Sequence, residues 1–587
     1  MARQLEYFPN LVTMFLARAE EKGDKPFLWA KRDGSWQQIS YREAARQVAA
    51  LAESLNKIGL EPGDRVALVS ENRPEWLIAD LGIMAAGCVS VPTYTTNTTR
   101  DHSHVLVNSG AKAVIVSSRK LAQTLLPAIM DAPDCHQLIA IEDLGSGQEP
   151  DFVHLLKWSD MVGSGGDVAA LAERMKSVGR DQLACLIYTS GTGGAPRGVM
   201  QHHGALLHNV AGAADIISTD FGWGEEIFLS FLPASHAYEH MGGQLFPIAL
   251  GAQIYYAESL EKLAANIEEV QPTIMVVVPR LFEMLRARIM KSVESSGKLS
   301  NFLLSKALQI GKDRHDGRFK PWDWPVDQLL SATLRKKVKA KVGKRTKAWV
   351  SGGAPLNPEV GIFFESLGIT FLQGYGQTEA APLISCNRPR AGIRLETVGP
   401  PVKDTEVRIA EDGEILVRGE NVMHGYWQNP EETARVLLPS DDGKGPWLAT
   451  GDIGHFDDKG RIVITDRKKD LIVNDKGDNV SPQRIEGMLT IQPEIAQAMV
   501  YGDRRPYLVG LIVPDPEFAT DPDLQQRLLA AVDRVNADLS VTEKVRRFIL
   551  ADEAFTIENE QLTPSLKIRR HIIIKQYGER LAALYKR

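Results

Sequence analysis

"YTSGTGGAPRGVM", Tyr188 to Met200, gathers four glycines, the hydroxyls of Thr189, Ser190 and Thr192 and one cation, Arg197, into thirteen residues. A short β-rich run, "ACLIYTS", leads directly into it. Hydroxyls and backbone N–H groups converging at the end of a strand, with glycines that allow close approach, make a cradle for an anion such as a phosphate. Counted from Gly191, a Walker loop would require glycine at Pro196 and lysine at Arg197, so the segment is a phosphate loop of another kind.

Outward from this loop the first half of the chain alternates helical and strand patterns. "SYREAARQVAALAESLNKIG" spaces its apolar residues by three and four and ends at Gly59, and "DRVALVS" follows as a short strand. The pair repeats as helical "PEWLIADLGIMAAG" and strand-like "CVSVPTY". Further apolar strands are expected at "AKAVIVSS", "HQLIAIE" and "PTIMVVVP". Such alternation predicts an α/β fold of βα subdomains with mostly parallel, buried sheets. From about Gly399 the strands become short and closely spaced, with hairpin turns at "EDGE" and "DDKG", which predicts a β-barrel-like subdomain. A small α+β domain then begins at Lys469, giving residues 1–468 and 469–587 as the two domains.

At 587 residues the chain exceeds a single core. Its 68 basic and 74 acidic side chains leave a net charge of −6, which offers no global attraction for nucleic acid. Four scattered cysteines without metal-type spacing fit a reducing compartment, and neither a signal-peptide core nor a long apolar span is evident, so a cytoplasmic location is expected. One helical insertion, about 285–347, interrupts the alternation and carries "RFKPWDWPVDQLL" and the cationic run "RKKVKAKVGKRTK". Such a run is either a solvated face or a peripheral contact with an anionic membrane through 335–347, on the inner membrane face, with Trp322 and Trp324 as interfacial anchors.

The loop resembles the signature of the adenylate-forming acyl-CoA and aryl-CoA synthetases, close to YTSGTTGxPKGV. Gly193 stands where that pattern has threonine and Arg197 where it has lysine. The first change removes a hydroxyl; the second keeps the charge and allows bidentate phosphate contact. "LQGYGQTEAAP" supplies the family's second motif. The resemblance implies that Tyr375 lies on adenine, that Thr378 binds the α-phosphate and that Glu379 and Thr189 are the ligands of Mg²⁺. It also implies nucleotide contacts from Ser190, Gly191, Thr192, Gly193, Gly194 and Arg197, from Gly353 and Ala354 of "SGGAPL", and from Gln373, Gly374 and Gly376. Asp452 and Arg467 would hold the ribose of ATP.

"QLTPSLKIRR" resembles the long-chain fatty acyl branch, which implies that Lys567 is catalytic and that the small α+β C-terminal domain is mobile about a hinge at Lys469. His236 would flank an acyl pocket bordered by Tyr238, Gly242 and Gly243 and count among the catalytic residues. The implied reaction consumes ATP, a fatty acid and coenzyme A. Close to it stands a fatty acyl-AMP ligase that loads a carrier protein. Two readings from other classes are an HxxEH zinc protease, suggested by His236-Ala-Tyr-Glu239-His240, and a non-enzymatic lipid-binding protein. The sequence leaves the oligomeric state open, with a homodimer as one option.

Overall fold

The computed structural model describes the chain except residues 1–2, 146–152, 164, 190–194, 295–296, 355, 469, 476–478, 564–567 and 587. Two large sheets organise the first part. A seven-stranded sheet runs, edge to edge, through His154–Lys157, Gln137–Ala140, Ala111–Val116, Arg65–Val69, Val89–Thr93, Leu183–Thr189 and Arg197–His202. All its pairings are parallel except the last. Val66 to Val69 are buried on both faces, which is why this strand reads as a continuous apolar run instead of an alternating one.

The eight-stranded sheet has the parallel strands Ile227–Ser230, Ile274–Val277, Ala348–Ser351 and Phe371–Gly376 at its centre and antiparallel pairs at both edges. Helices Leu11–Lys22, Tyr41–Lys57, Pro74–Ala85 and His203–Ile216 share one core with strands of both sheets. Their boundaries follow local chemistry. Asn10 accepts from the Thr13 N–H at 2.8 Å to cap the first helix, and its amide reaches the Met175 and Val178 carbonyls, both at 2.9 Å. Ser40 caps the second helix by accepting from the Glu43 N–H.

After Gly399 comes a five-stranded antiparallel sheet, with the expected hairpins at Glu406–Ile409 with Glu414–Arg418 and at Trp447–Phe456 with Ile462–Arg467. The expected helical insertion is the crossover between Ile274–Val277 and Ala348–Ser351, with helices Pro279–Glu294, Lys298–His315, Trp324–Leu330 and Lys336–Val342. A separate C-terminal α+β domain packs Ile485, Leu489, Leu508, Ile512, Leu528 and Val532 into a core of its own. Among the described residues, no helix is long and apolar enough to cross a membrane.

Candidate active site

Strands Leu183–Thr189 and Arg197–His202 are antiparallel neighbours, with Tyr188 opposite Gly198 and Thr189 opposite Arg197. The glycine-rich segment therefore joins two strands, and the helix that follows starts only at His203. Ser190, Gly191, Thr192, Gly193 and Gly194 lie outside the described residues, but both ends of the segment are anchored. The Tyr188 hydroxyl donates to Asn108 Oδ1 at 2.6 Å, and His104 Nε2 lies 2.7 Å from the Pro196 carbonyl.

Residues Gly425 to Trp427 extend this sheet. The Met200 N–H donates to the Gly425 carbonyl at 3.0 Å and the Trp427 N–H to the Gly198 carbonyl at 2.7 Å. This pairing delivers Tyr426, which sequence reasoning missed. Its hydroxyl donates to Glu379 Oε1 at 2.8 Å, and the Arg197 guanidinium lies over its ring at 4.4 Å. Burial and the neighbouring Glu379 charge raise the Tyr426 pKa, so the phenol stays a donor. Arg197 is also bound to Glu432, Nη1 to Oε2 at 2.7 Å. The expected phosphate clamp is thus an ion-paired arginine in this structure.

The second motif lies beside the first. Phe371–Gly376 turns back on Leu383–Cys386 through a short helical turn, Thr378–Ala380. Gln201 Nε2 donates to the Thr378 carbonyl at 2.7 Å and Asn209 Nδ2 to the Ala380 carbonyl at 3.1 Å, which ties the turn to the strand and helix after the glycine-rich segment. A Cβ at Gly376 would sit 1.9 Å from the Pro382 carbonyl oxygen, so only glycine fits. Gln373 is turned inward. Its side-chain amide donates to the Leu395 carbonyl, and its backbone carbonyl accepts from the Asn387 N–H, so the side-chain nitrogen is engaged within the fold. Gly374 faces Cys386 across the hairpin.

Asp452 and Arg467 lie opposite each other on adjacent strands. Asp452 is buried; its Oδ2 accepts from the Tyr375 hydroxyl at 2.7 Å and its Oδ1 from Arg467 Nε at 3.0 Å. Burial, followed by the Asp452 charge, holds the Tyr375 pKa well above the usual phenol range. Burial opposes the charge on Arg467, but Asp452 outweighs it and the net shift is upward. A carboxylate oxygen has two acceptor lone pairs, so each Asp452 oxygen can accept a further donor, as a diol requires.

The acyl-pocket candidates stand where Ile274–Val277 and Ala348–Ser351 end. The Tyr238 hydroxyl donates to the Val350 carbonyl at 2.8 Å, and a Cβ at Gly352 would lie 2.9 Å from the Tyr238 ring. Gly353 has φ +82°, and Ala354 is exposed beside it. Gly242 faces Val276, with 3.1 Å from a notional Cβ to the valine methyl. His236 caps the three-residue helix Ala237–Glu239, accepting from the Tyr238 N–H at 3.2 Å. A buried π-helix, His240–Leu245, continues from it.

This geometry disposes of the HxxEH zinc reading. His240 Nε2 is 2.8 Å from Asp80 Oδ2, both side chains being fully buried, while His236 is engaged at the helix start. Glu239 is buried as well, accepting from Ser230 Oγ at 2.6 Å and from Gln244 Nε2 at 3.3 Å. Burial pushes its carboxyl up to about 8. A Cβ at Gly243 would meet Glu239 Oε1 at 2.1 Å, which explains a glycine there. Among the described residues, the one grouping close enough for a metal is Asp181, His202 and His424. The two rings of that group stack at 4.2 Å and 15°, so one ion cannot lie in both ring planes, and both His202 nitrogens already face backbone groups of Arg180, Ala205 and Val422.

Lys567 and Lys469 lie outside the described residues; the terminal helix begins after the former, at Arg570. On either side of Lys469 the chain changes allegiance. Lys468 Nζ reaches Asp412 at 2.6 Å and Glu414 at 2.9 Å in the five-stranded sheet, whereas Asp470 accepts from Gln483 at 3.1 Å in the C-terminal domain.

Two α/β sheets bearing a glycine-rich segment, a held carboxylate and a buried Asp–Tyr pair bound by a partly exposed arginine, followed by a small α+β domain, define the adenylate-forming class of enzyme. The chain belongs to the AMP-binding enzyme family: residues 15–427 match the family described as AMP-binding enzyme, and 469–587 match the AMP-binding enzyme C-terminal domain. It is 31% identical to the long-chain-fatty-acid–CoA ligase FadD15 of Mycobacterium tuberculosis, over 97% of this chain and 96% of that one. Identity is 28% to the chloroplastic long-chain-fatty-acid–[acyl-carrier-protein] ligase AEE15 of Arabidopsis thaliana, covering 97% of this chain and 85% of that one. The adenylation domain of a carboxylate reductase from Mycobacterium chelonae shares the fold with a TM-score of 0.74 at 23% identity, covering 99% of this chain and 92% of that one.

Proposed function

We propose that this chain is a long-chain fatty acid–CoA ligase working in two half-reactions. In the first, a carboxylate oxygen of the fatty acid attacks the α-phosphorus of ATP; the bond to the bridging oxygen breaks, giving acyl-AMP and pyrophosphate. In the second, the sulfur of coenzyme A attacks the acyl carbonyl, AMP leaves, and the thiol proton passes to solvent. No protein nucleophile is required. The observation that carries the reading is the hydroxyl of Tyr426 on Glu379, which fixes a carboxylate beside the strands that bracket the hydroxyl- and glycine-rich segment.

In this reading Thr378 and the 189–194 segment bind the phosphates, Arg197 exchanges Glu432 for phosphate oxygens, and Asp452 and Arg467 take the ribose. Tyr375 lies on adenine, with Gly353 and Ala354 at its edge. Lys567 meets the fatty carboxylate and the α-phosphate oxygens, positioning one against the other. Thr189 and Glu379 offer the hard oxygen donors that suit Mg²⁺, and the ion when bound neutralises phosphate charge. His236, Tyr238, Gly242 and Gly243 border the acyl chain.

Product analysis with ATP, Mg²⁺, coenzyme A and fatty acids of graded length tests the proposal. Acyl-CoA and AMP are expected, with turnover rising toward long chains. Accumulation of acyl-AMP alone would remove the second step and favour a carrier protein as acceptor; absence of fatty-acid-dependent ATP–pyrophosphate exchange would refute ligase activity altogether. The transfer of bonding between Lys468 and Asp470 supports a hinge at Lys469, about which the C-terminal domain turns between the half-reactions. Lys469→Pro should spare pyrophosphate exchange and block thioester formation, and equal loss of both would count against the hinge.

A further inference from the structure

Fifteen large apolar side chains are exposed among the described residues, and seven of them fall between Met284 and Leu329. That concentration is confined to the crossover between the strands Ile274–Val277 and Ala348–Ser351. Leu299 and Phe302 lie on the outer side of helix Lys298–His315, whose opposite side buries Leu304, Ala307 and Ile310. Trp322, Trp324, Val326 and Leu329 project from the next short helices, where Leu330 is buried and Asp327 binds Arg314 at 2.8 Å, tying the two elements together. These six outward side chains are 39% to 72% exposed, and two are tryptophans.

The charge around them is unlike that of the rest of the chain. Residues 279–347 hold eighteen Lys and Arg against six Asp and Glu, in a protein whose net charge is −6. The cationic run expected to meet a membrane is only partly available for it. Arg335 is buried on Asp327 and the Ser366 carbonyl, and Lys347 is bound to Glu226 and the Gly222 carbonyl. Lys306, Lys312 and Lys320 beside the apolar row, and Lys336, Lys337 and Lys339 beyond it, are exposed. Lys320 lies 5.5 Å from the Trp322 ring centroid.

We infer that the face formed by Leu299, Phe302, Trp322, Trp324, Val326 and Leu329 docks on an anionic lipid surface, with the flanking lysines meeting the headgroups. Aromatic and aliphatic tips flanked by cations suit the boundary between headgroups and acyl chains. A protein partner of ordinary composition gives no reason for so steep a local excess of positive charge. The position also suits the chemistry proposed above, on which this purpose, though not its test, rests. The crossover starts at Pro279, two residues after the strand that carries Val276, and returns into the strand that carries Val350, so the docking face hangs from both strands that contact the Tyr238–Gly242 segment. A substrate dissolved in a bilayer would be met next to its pocket.

The full chain is to be co-sedimented with vesicles of phosphatidylcholine alone or with about a third phosphatidylglycerol, at about 50 mM and about 500 mM salt. Binding to the anionic vesicles at low salt, weakened at high salt, is expected. Lys336→Glu with Lys337→Glu should lower the partition coefficient by about thirtyfold or more, since each cation near an anionic surface is worth about fivefold. Phe302→Ser with Trp322→Ser and Trp324→Ser should lower it by at least about tenfold while a melting curve like that of the parent shows the fold intact. Failure of the parent to bind anionic vesicles overturns the proposal, as does a serine variant that is folded and binds equally well. A dimer that the serine variant dissociates, without vesicle binding by the parent, would make the face a contact between copies and likewise overturn it. None of these readings uses ligase activity, so they stand or fall apart from the proposed reaction.

Discussion

Replacing Glu239 by glutamine should change how stability depends on pH. The carboxyl is buried, accepts from Ser230 and Gln244, and has its pKa pushed from 4.5 up to about 8 by burial. Between those values the folded protein keeps a proton that the unfolded chain has released. The folded state therefore binds more protons, and stability declines as pH rises through this window by up to about 1.4 kcal/mol per pH unit. From about pH 5.5 to about 7.5 the loss is about 2.7 kcal/mol. With unfolding entropy of about 2.1 cal/mol/K per residue over roughly 470 residues, that corresponds to about 3 °C in Tm. Glutamine matches the shape of the neutral acid, supplies an N–H in place of the O–H, and does not titrate. Thermal unfolding of both proteins at the two pH values is the assay: the Tm of Glu239→Gln relative to the parent should rise by about 3 °C on going to the higher pH. An identical pH dependence in parent and variant would show that the folded protein holds Glu239 ionised and would refute the reasoning.

Gly376→Ala forces a methyl group to 1.9 Å from the Pro382 carbonyl oxygen, backbone against backbone, and should cost about 3 kcal/mol or more with loss of activity; a melting curve like the parent's would contradict the packing. Tyr375→Phe removes the 2.7 Å donor to Asp452 and should lower kcat/KM for ATP by about tenfold or more, and because the Tyr375 pKa is raised, the parent should show no inflection from this phenol below about pH 10. Tyr426→Phe releases Glu379 and should raise the Mg²⁺ concentration that half-saturates pyrophosphate exchange by about tenfold; an unchanged requirement would mean that the tyrosine does not hold the carboxylate during catalysis.

Elements were legible where the signal is local. Continuous apolar runs such as "DRVALVS" and "AKAVIVSS" are strands because both of their faces are covered, and the helix read from "SYREAARQVAALAESLNKIG" starts where Ser40 accepts from the N–H three positions on. Tyr426 was hidden because its role depends on pairing with a strand more than two hundred residues earlier in the chain, and nothing in "HGYWQNP" announces that pairing. Glu432 was hidden for the same reason, as it meets Arg197 across 235 residues. The "HAYEH" spacing suggested two histidines on one helical face. The backbone leaves the α-helix after Glu239, and a buried aspartate from a different helix, Asp80, takes His240.

These long-range contacts also tie the strand that follows the glycine-rich segment to the Thr378–Ala380 turn. That strand carries Arg197, which lies over the ring of Tyr426, the donor to Glu379, and Gln201 on the same strand holds the Thr378 turn, so this strand reaches Glu379 through two short connections. The Asp452–Arg467 pair belongs to neighbouring strands of another sheet, the second of which leads out through Lys468 to the C-terminal domain. In the proposed reaction the ribose contact at Arg467 and the hinge at Lys469 are thus two positions apart in the chain. On that proposal a nucleotide that tightens Asp452 on Arg467 would fix the residue two positions before the hinge, and release of that contact would free it. Arg467→Ala should accordingly impair nucleotide binding and thioester formation together, whereas Lys469→Pro should separate them; if Arg467→Ala affected only the first half-reaction, ribose contact and domain rotation would be independent.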